Sequence, residues 1–513
     1  MKNRIFSIIA VLSLFIGCCS YVINAVTISP NDDGVYEISS YGQLRLFSDL
    51  INGKGIYSSS GAVKNADAVL VADIVANEGL LNDDGSIALD DPDVWTPMYN
   101  FSGVFDGNGH SITGLYFDEY KADAGLFSVL AENSQVKNLN IKGSYICGKT
   151  NVGMIAGSSY GDIINCTSDG NVTSYACTSG VGGIVGVTYG NVMNCKNYSY
   201  ILSISGTIEG KYVDYAAGIA GISYGKVEKC INEGYVTAAE ASAGGICGIG
   251  TVVTDCYNTS SVSGIIDVGG ICTMLKGRME NCYNIGEIYA DAVQGSNVGA
   301  IVGVCDVSDD NGSYPENNYY LTTEISGIGS YVLPDGSLVE SEEEDSGAEM
   351  KSSESFENGN VAHLLGKSYG MLIGKDKYPV FNDGSNTVYM VAGVACSGGG
   401  RVLGINEYGY TNGGALAVAD DGYAFAGWYD NNGVIENNAE ISIQKVSEST
   451  VLKALFAEKG DVNCDGVKNS KDIIKYKKFF AGKAEIYNGI GDVDNDGDTD
   501  TDDIALVVAD ILQ

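Results

Sequence analysis

Gly183-Ile184-Val185-Gly186, followed by Tyr189-Gly190, Asn194-Cys195 and Asn197, is one unit of a pattern that recurs through the middle of the chain. The apolar-glycine element returns as Gly153-Met154-Ile155-Ala156-Gly157, Gly218-Ile219-Ala220-Gly221, Gly245-Ile246-Cys247-Gly248, Gly270-Ile271-Cys272 and Gly299-Ala300-Ile301-Val302-Gly303. Its central isoleucines are 29, 35, 27, 25 and 30 residues apart. Cys166, Cys230, Cys256 and Cys282 repeat the place of Cys195, and Asn232, Asn258 and Asn284 repeat that of Asn197, with Ser168 in the first copy. Tyr160-Gly161 and Tyr224-Gly225 repeat the third element.

A period of this length, built from short β-prone runs and glycine corners, predicts a mainly β fold: a right-handed parallel β-helix, or solenoid. Each coil leaves an apolar edge that only the next coil can cover. Aligned isoleucines and cysteines then become inward columns, and the asparagines can bond amide to amide along the stack. Leucine-rich and helical repeats are excluded because no 3.6-residue period runs through the units. Upstream, Leu44, Phe47, Leu50 and Ile51 have helical spacing after a possible N-cap at Ser39 or Ser40, as suits a cover for the end of a stack.

Composition bounds the rest. Of 513 residues, 69 are glycine and 6 are proline, which excludes collagen and proline-rich disorder. The net charge of −36 repels phosphate backbones and argues against nucleic acid as a partner. Two histidines, His110 and His363, cannot build a His-rich metal centre. Lys2 and Arg4, the apolar run Ile5 to Gly17 and Ile23-Asn24-Ala25 predict an export signal over 1–25, hence a secreted, extracellular protein. A rival reading takes Phe15-Ile16-Gly17-Cys18 as a lipoprotein box with Cys18 anchored. No later apolar run is long enough to span a bilayer. Twelve cysteines remain after the signal; their column in the repeat predicts buried thiols more than disulfides.

Trp95-Thr96-Pro97 and Phe101-Ser102-Gly103-Val104-Phe105-Asp106-Gly107-Asn108-Gly109-His110 resemble the opening of exported bacterial β-solenoids that carry the GLUG repeat. Gly125-Leu126-Phe127 is similar to the core of that repeat, and His363-Leu364-Leu365 with Tyr378-Pro379-Val380-Phe381 resembles the usual exit. The likeness covers about 36–383 and implies fold more than function. Gly422-Tyr423-Ala424-Phe425-Ala426-Gly427-Trp428-Tyr429-Asp430, with Val451 to Phe456, resembles the internalin-type B-repeat, a small β module. The expected domains are 1–25 signal, 26–98 cap, 99–383 solenoid and exit, 384–459 B-repeat-like module, and 460–513 a terminal module.

That terminal module carries the strongest chemistry. Asp461, Asn463, Asp465, Asn469 and Asp472 stand at positions 1, 3, 5, 9 and 12 of a loop with glycine at position 6 and the Val467 carbonyl at position 7. Asp492, Asp494, Asp496, Asp498, Asp500 and Asp503 repeat the spacing 31 residues on. Calcium takes six to eight oxygens, and alternate residues of a tight loop converge on one point, so two calcium ions are expected. Apolar runs after each loop predict a small all-α module. The duplicated loop-helix units resemble a type I dockerin, which implies a cohesin domain of a scaffoldin as partner. The resemblance places cohesin reading at Ser470, Lys471, Lys477 and Lys478, and at Thr501, Asp502, Val508 and Ala509. The two halves differ in charge and size, so one docking orientation is expected. Cys464 is expected to face solvent.

Catalysis is not legible. Asp162, Asp169, Asp214, Asp255, Asp267 and Asp291 share no repeat position, Asp106 to His110 reads as a turn, and Glu342 to Asp345 as a solvated loop. The expected role is a cellulosome component that presents its solenoid to plant cell-wall polysaccharide or a surface. The alternative is a glycoside hydrolase or polysaccharide lyase with an unrecognised site. Tyr160, Tyr189 and Tyr224 could stack on sugars as an exposed column, or simply pack.

Overall fold

The computed structural model describes residues 26–512, apart from 176–179, 205–213, 291–295, 309–314, 322–323, 342–346, 373, 389, 396–397, 404–408, 411–413, 431–432, 437, 443–449 and 488. The export signal, the Cys18 lipoprotein reading, Asp291 and the acidic run 342–345 lie outside the described residues. Five helices are described: α1 (Tyr41–Asn52), α2 (Ser353–Glu357), α3 (Asn360–Leu364), α4 (Ser470–Phe480) and α5 (Thr501–Ile511). No described helix is long and apolar enough to cross a membrane.

The chain winds a β-solenoid with three long faces, two 15-stranded sheets and one 7-stranded sheet. Coil-to-coil pairing is parallel. One coil runs through Gly180–Gly182 on the small sheet, Val185–Thr188 and Val192–Met193 on the first large sheet, and Lys196–Asn197 and Tyr200–Ser203 on the second. The next coil repeats it in register, Val181 opposite Ala216, Val185 opposite Ala220, and Ile201 opposite Val236. Ile155, Ile184, Ile219, Ile246, Ile271 and Ile301 all lie fully inside, so the repeat's isoleucines form the expected column. Such a run of buried β-branched and small side chains supplies the apolar area that holds a parallel stack together.

The N-cap of α1 is Ser40, whose hydroxyl accepts from Gln43 N, while Gln43 Oε1 accepts from Ser39 N at 2.8 Å. Gly53, at φ 62°, ends the helix in the left-handed region. Leu44, Phe47, Leu50 and Ile51 face inward, and Phe47 meets Phe101 and Phe105 at ring distances of 6.3 and 6.2 Å. Helix α1 thus plugs the first coils. The parallel ladder itself begins earlier than the cap's expected end, because Tyr36–Ile38 already pairs with Ala68–Leu70. At that edge Pro30 bridges Tyr36 antiparallel, and at the far end Leu338–Glu340 pairs antiparallel with Ile328–Val332.

The two columns read from the repeat have a sharper basis than core filling. Ser168, Asn197, Asn232, Asn258 and Asn284 are buried and linked side chain to side chain, each contact 2.8 Å. Each asparagine also closes its own turn; Asn197 Oδ1 accepts from Ser199 N at 2.9 Å. The residue before each cysteine adopts a left-handed conformation: Asn165, Asn194, Lys229, Asp255 and Asn281 have φ of 52–55°. Asparagine and aspartate tolerate that region best among residues with a side chain. The cysteine that follows donates its thiol to the carbonyl two residues back, at 3.3 Å in Cys166, Cys195 and Cys230. The ten described cysteines form no disulfide.

Helices α2 and α3 fold back over the second sheet. Phe356, Val361, Leu365 and Tyr369 bury the Tyr257, Tyr283 and Tyr319 column, and the Tyr283 hydroxyl donates to the Pro379 carbonyl. Beyond, Gly409–Tyr410, Met390–Ala395, Thr450–Glu458, Tyr423–Asp430 and Gly433–Glu436 form a 5-stranded sheet, with a 3-stranded sheet beside it. Phe425, Trp428, Leu452 and Phe456 fill its core.

Candidate functional site

In the terminal segment each acidic loop runs into a helix through a capping box. Asn469 caps α4 and Asp500 caps α5, and Asp472 and Asp503 return a carboxylate to the cap's own N–H at 2.8 Å. Position 12 therefore points back into its loop for a reason local to the helix start, which holds with or without an ion. Both carboxylates are buried, Asp472 fully and Asp503 to 1% exposure. Positions 4 and 6 are left-handed in both loops: Cys464 and Gly466 at φ 58° and 84°, Asn495 and Gly497 at φ 66° and 99°. That pair of turns curls the intervening oxygens inward.

In the second loop the carboxylates gather as two triads, Asp492 with Asp494 and Asp496, and Asp498 with Asp500 and Asp503; within each, oxygens lie within 4.8 Å of one another. In the first loop Asp461 Oδ2 accepts from Gly466 N at 2.8 Å, and Asp472 Oδ1 accepts from Asn463 Nδ2 at 2.8 Å. Asp465 is engaged by Lys471 Nζ at 3.0 Å, and Asn469 Nδ2 donates to the Val467 carbonyl at 2.9 Å. Burial, foremost, pushes the Asp461 carboxyl up, and the charge of Asp496, foremost, pushes Asp498 up. All-oxygen donors that carry excess negative charge, Lys471 offsetting only Asp465, fit a hard divalent cation; nothing in the set would suit a soft one.

The residues expected to read a partner fall on one side of each helix. Ser470, Lys471, Lys477 and Lys478 are exposed, as are Thr501, Asp502 and Ala509; Val508 is half-buried. Three apolar neighbours had no motif to mark them: Ile474 is 53% exposed, Leu506 45% and Phe480 45%. Cys464 departs from expectation. It is half-buried against the module's core, where burial pushes its thiol up, because its left-handed turn swings the side chain inward. That core is shared: Val462, Tyr476, Ile490 and Val507 pack with Ala424, Ala426 and Ala457 of the preceding β module. Lys468 ties the two modules as well, pairing with Glu458 at 2.7 Å and with Asp510.

On the solenoid, Tyr160, Tyr189 and Tyr224 stand on successive coils with ring centroids 4.8 Å apart and planes 3° and 19° from parallel. Each is about half exposed, at 47%, 52% and 51%. The rings cover one another's faces, so the ladder offers edges, a row of hydroxyls and two end faces. The aspartates do not converge: Asp162 accepts from Asn191 Nδ2 at 3.0 Å, Asp255 from the Ser368 hydroxyl at 3.0 Å and Asp267 from Asn297 Nδ2 at 2.6 Å. Asp169 is exposed and Asp214 buried. Among the described residues, acidic triads within 4.8 Å occur in the second terminal loop alone. His110 closes a turn, its N–H donating to the Gly107 carbonyl at 2.8 Å, with Nδ1 3.4 Å from Asp73.

No family model matches the chain. Over 73 residues, 14% of this chain, it is 41% identical to Halomucin of Haloquadratum walsbyi. Over 79 residues, also 14%, it is 37% identical to a proposed Gly-rich membrane protein of Evansella cellulosilytica. The chain spans 1% and 9% of the lengths of these relatives. Among solved structures it is similar to a proposed immunoglobulin A1 protease from Bacteroides ovatus, at 20% identity and a TM-score of 0.39, over 69% of this chain and 94% of that one.

Proposed function

We propose that the protein is a secreted cellulosome component that docks through its terminal module, a dockerin, onto a cohesin of a scaffoldin when two calcium ions are bound, and presents its right-handed solenoid to plant cell-wall polysaccharide. The observation that carries the reading is the duplication of one loop geometry. Two segments place left-handed residues at positions 4 and 6 and a buried capping-box aspartate at position 12.

Asp461, Asn463, Asp465, Asn469, Asp472 and the Val467 carbonyl would hold the first ion, and Asp492, Asp494, Asp496, Asp500, Asp503 and the Asp498 carbonyl the second. Bound calcium supplies charge neutralisation, which lets the carboxylates sit together and orders the helices behind them. The chain's own residues then do the recognition. Ser470, Lys471, Ile474, Lys477 and Lys478 offer a basic, partly apolar helix face, while Thr501, Asp502, Val508 and Ala509 offer a smaller one that carries an acid and no cation. That asymmetry favours one docking orientation. The exposed tyrosine ladder supports saccharide contact on the solenoid, since aromatic edges and hydroxyls suit sugar C–H and O–H groups. Calorimetry of the full chain with a cohesin, with calcium and then with excess chelator, tests the docking. Affinity that survives chelation refutes it.

A further inference from the structure

In a chain of net charge −36 with 29 basic residues, three lysines line one cavity of about 300 Å³ at the seam between α1 and the first coils. Lys54 follows the C-terminus of α1, Lys64 lies on the segment that leads into the strand Ala68–Leu70, and Lys121 belongs to the outer turn before Ala122–Ala124. Asn52, Thr96, Ser128 and Asp123 contribute polar groups, and Pro97, Tyr99 and Phe117 contribute apolar ones.

The walls are held by bonds that do not need a ligand. Asn52 Nδ2 donates to the Pro97 carbonyl at 3.1 Å, and its Oδ1 accepts from Tyr99 N at 3.0 Å, which pins the 96–99 segment to the helix. Lys64 Nζ donates to the Tyr99 carbonyl at 2.6 Å and lies 5.4 Å from the centre of the Tyr99 ring. Asp123 is turned away from the lysines in its bonding: its Oδ1 accepts from Asn151 Nδ2 at 2.9 Å and from the Ser158 hydroxyl at 2.5 Å. Lys121 pairs with Glu119, and Lys54 has no carboxylate within pairing distance among the described residues. The local charge is therefore reversed against the rest of the molecule.

We infer that this cavity binds a carboxylated sugar, a uronic acid at or near the end of an oligosaccharide. The size suits one or two sugar rings, near the lower end of ligand pockets at about 300–1,000 Å³. Ammonium groups would neutralise the carboxylate, the amide and hydroxyls of Asn52, Thr96 and Ser128 suit ring hydroxyls, and Pro97, Tyr99 and Phe117 suit the C–H face of the ring. A phosphate or sulfate group would use the cations but leave the apolar wall without a partner. The inference deepens the polysaccharide half of the proposed function and rests on it; it is independent of calcium and cohesin.

The test uses the full calcium-loaded chain and calorimetry with trigalacturonate, its methyl ester, and inorganic phosphate. Trigalacturonate is expected to bind, with Lys54→Glu and Lys121→Glu each weakening it about tenfold or more and the melting temperature unchanged. The methyl ester, equal in shape but uncharged, is expected to bind about tenfold more weakly. Equal binding of acid and ester, indifference to both lysine reversals, displacement by low-millimolar phosphate, or no binding of the acid each overturns the inference. Cohesin binding measured on the same preparations reports separately on the docking reading.

Discussion

Asn232 Nδ2 donates to Asn258 Oδ1 at 2.8 Å, joining two residues 26 apart in sequence but adjacent along the solenoid axis. The same amide closes its own turn through the Gly234 carbonyl at 2.9 Å, so both of its hydrogens are used in a dry interior. Replacing Asn258 with leucine takes the acceptor from Asn232 Nδ2 on one side and the donor from Asn284 Oδ1 on the other. A loss of about 2–4 kcal/mol in unfolding free energy is expected from two buried amides each left one hydrogen bond short. Urea titration of the variant checks it; a change within about 0.5 kcal/mol would show the ladder to be dispensable.

The thiol column sets an alkaline limit. Burial, foremost, raises the thiols of Cys166, Cys195, Cys230 and Cys256 well above their usual 9.0. In the unfolded chain they ionise near the ordinary value, so above it the unfolded state holds fewer protons and stability falls as pH rises. Below about pH 8 these groups contribute no pH dependence. Melting temperature measured from pH 7 to 10.5 is expected to fall above about pH 9, and to fall less steeply in Cys230→Ala. Thiol reagents at pH 8 are expected to label Cys464 before any described cysteine of the column.

Calcium removal is expected to reach beyond the loops. Because Val462, Tyr476 and Val507 share a core with Ala424, Ala426 and Ala457, chelation should lower the melting temperature of the β module together with the terminal helices. The solenoid transition should stay in place. Scanning calorimetry with and without chelator separates the transitions, and a β module indifferent to chelation would uncouple the two.

Asp503→Asn distinguishes capping from ion binding. Asparagine can still accept from Asp500 N but turns its Nδ2 onto Val493 N, so the apo module is expected to lose about 1–2 kcal/mol, whereas calcium affinity at the second loop is expected to drop about tenfold or more. Asp503→Ala should lose both. Titration with calcium followed by far-ultraviolet dichroism reads the two effects.

Tyr189→Ala removes the middle rung of the exposed ladder. Binding to an insoluble plant polysaccharide is expected to weaken about three- to tenfold, with little change in melting temperature, since the ring is half exposed. A pull-down series over Tyr160, Tyr189 and Tyr224 checks this.

The solenoid was legible because a coil repeats its needs: Ile184, Cys195 and Asn197 each occupy a place that every turn must fill alike. Less visible was why cysteine recurs. Its thiol adds a second donor to the carbonyl before a left-handed Asn194 or Lys229, one that already accepts from the neighbouring coil, and no spacing rule shows a carbonyl. The shape of the acidic loops was equally open to reading, since the spacing of their carboxylates and glycines is local. The lysine cavity was not, because Lys54, Lys64 and Lys121 meet through three separate elements and share no motif. Cys464 was misplaced for a similar reason: the side chain's direction follows from its backbone turn, not its residue type.

Both ends of the first sheet finish on reversed pairing, Pro30 against Tyr36 at one end and Leu338–Glu340 against Ile328–Val332 at the other. A parallel stack is by nature open-ended, and each uncapped terminus would template the next molecule. Proline cannot donate to a newcomer, and an inverted strand presents the wrong spacing of donors and acceptors. This sheet therefore offers no matching parallel edge at either end: trimming 26–35 or 336–341 is expected to favour end-to-end association.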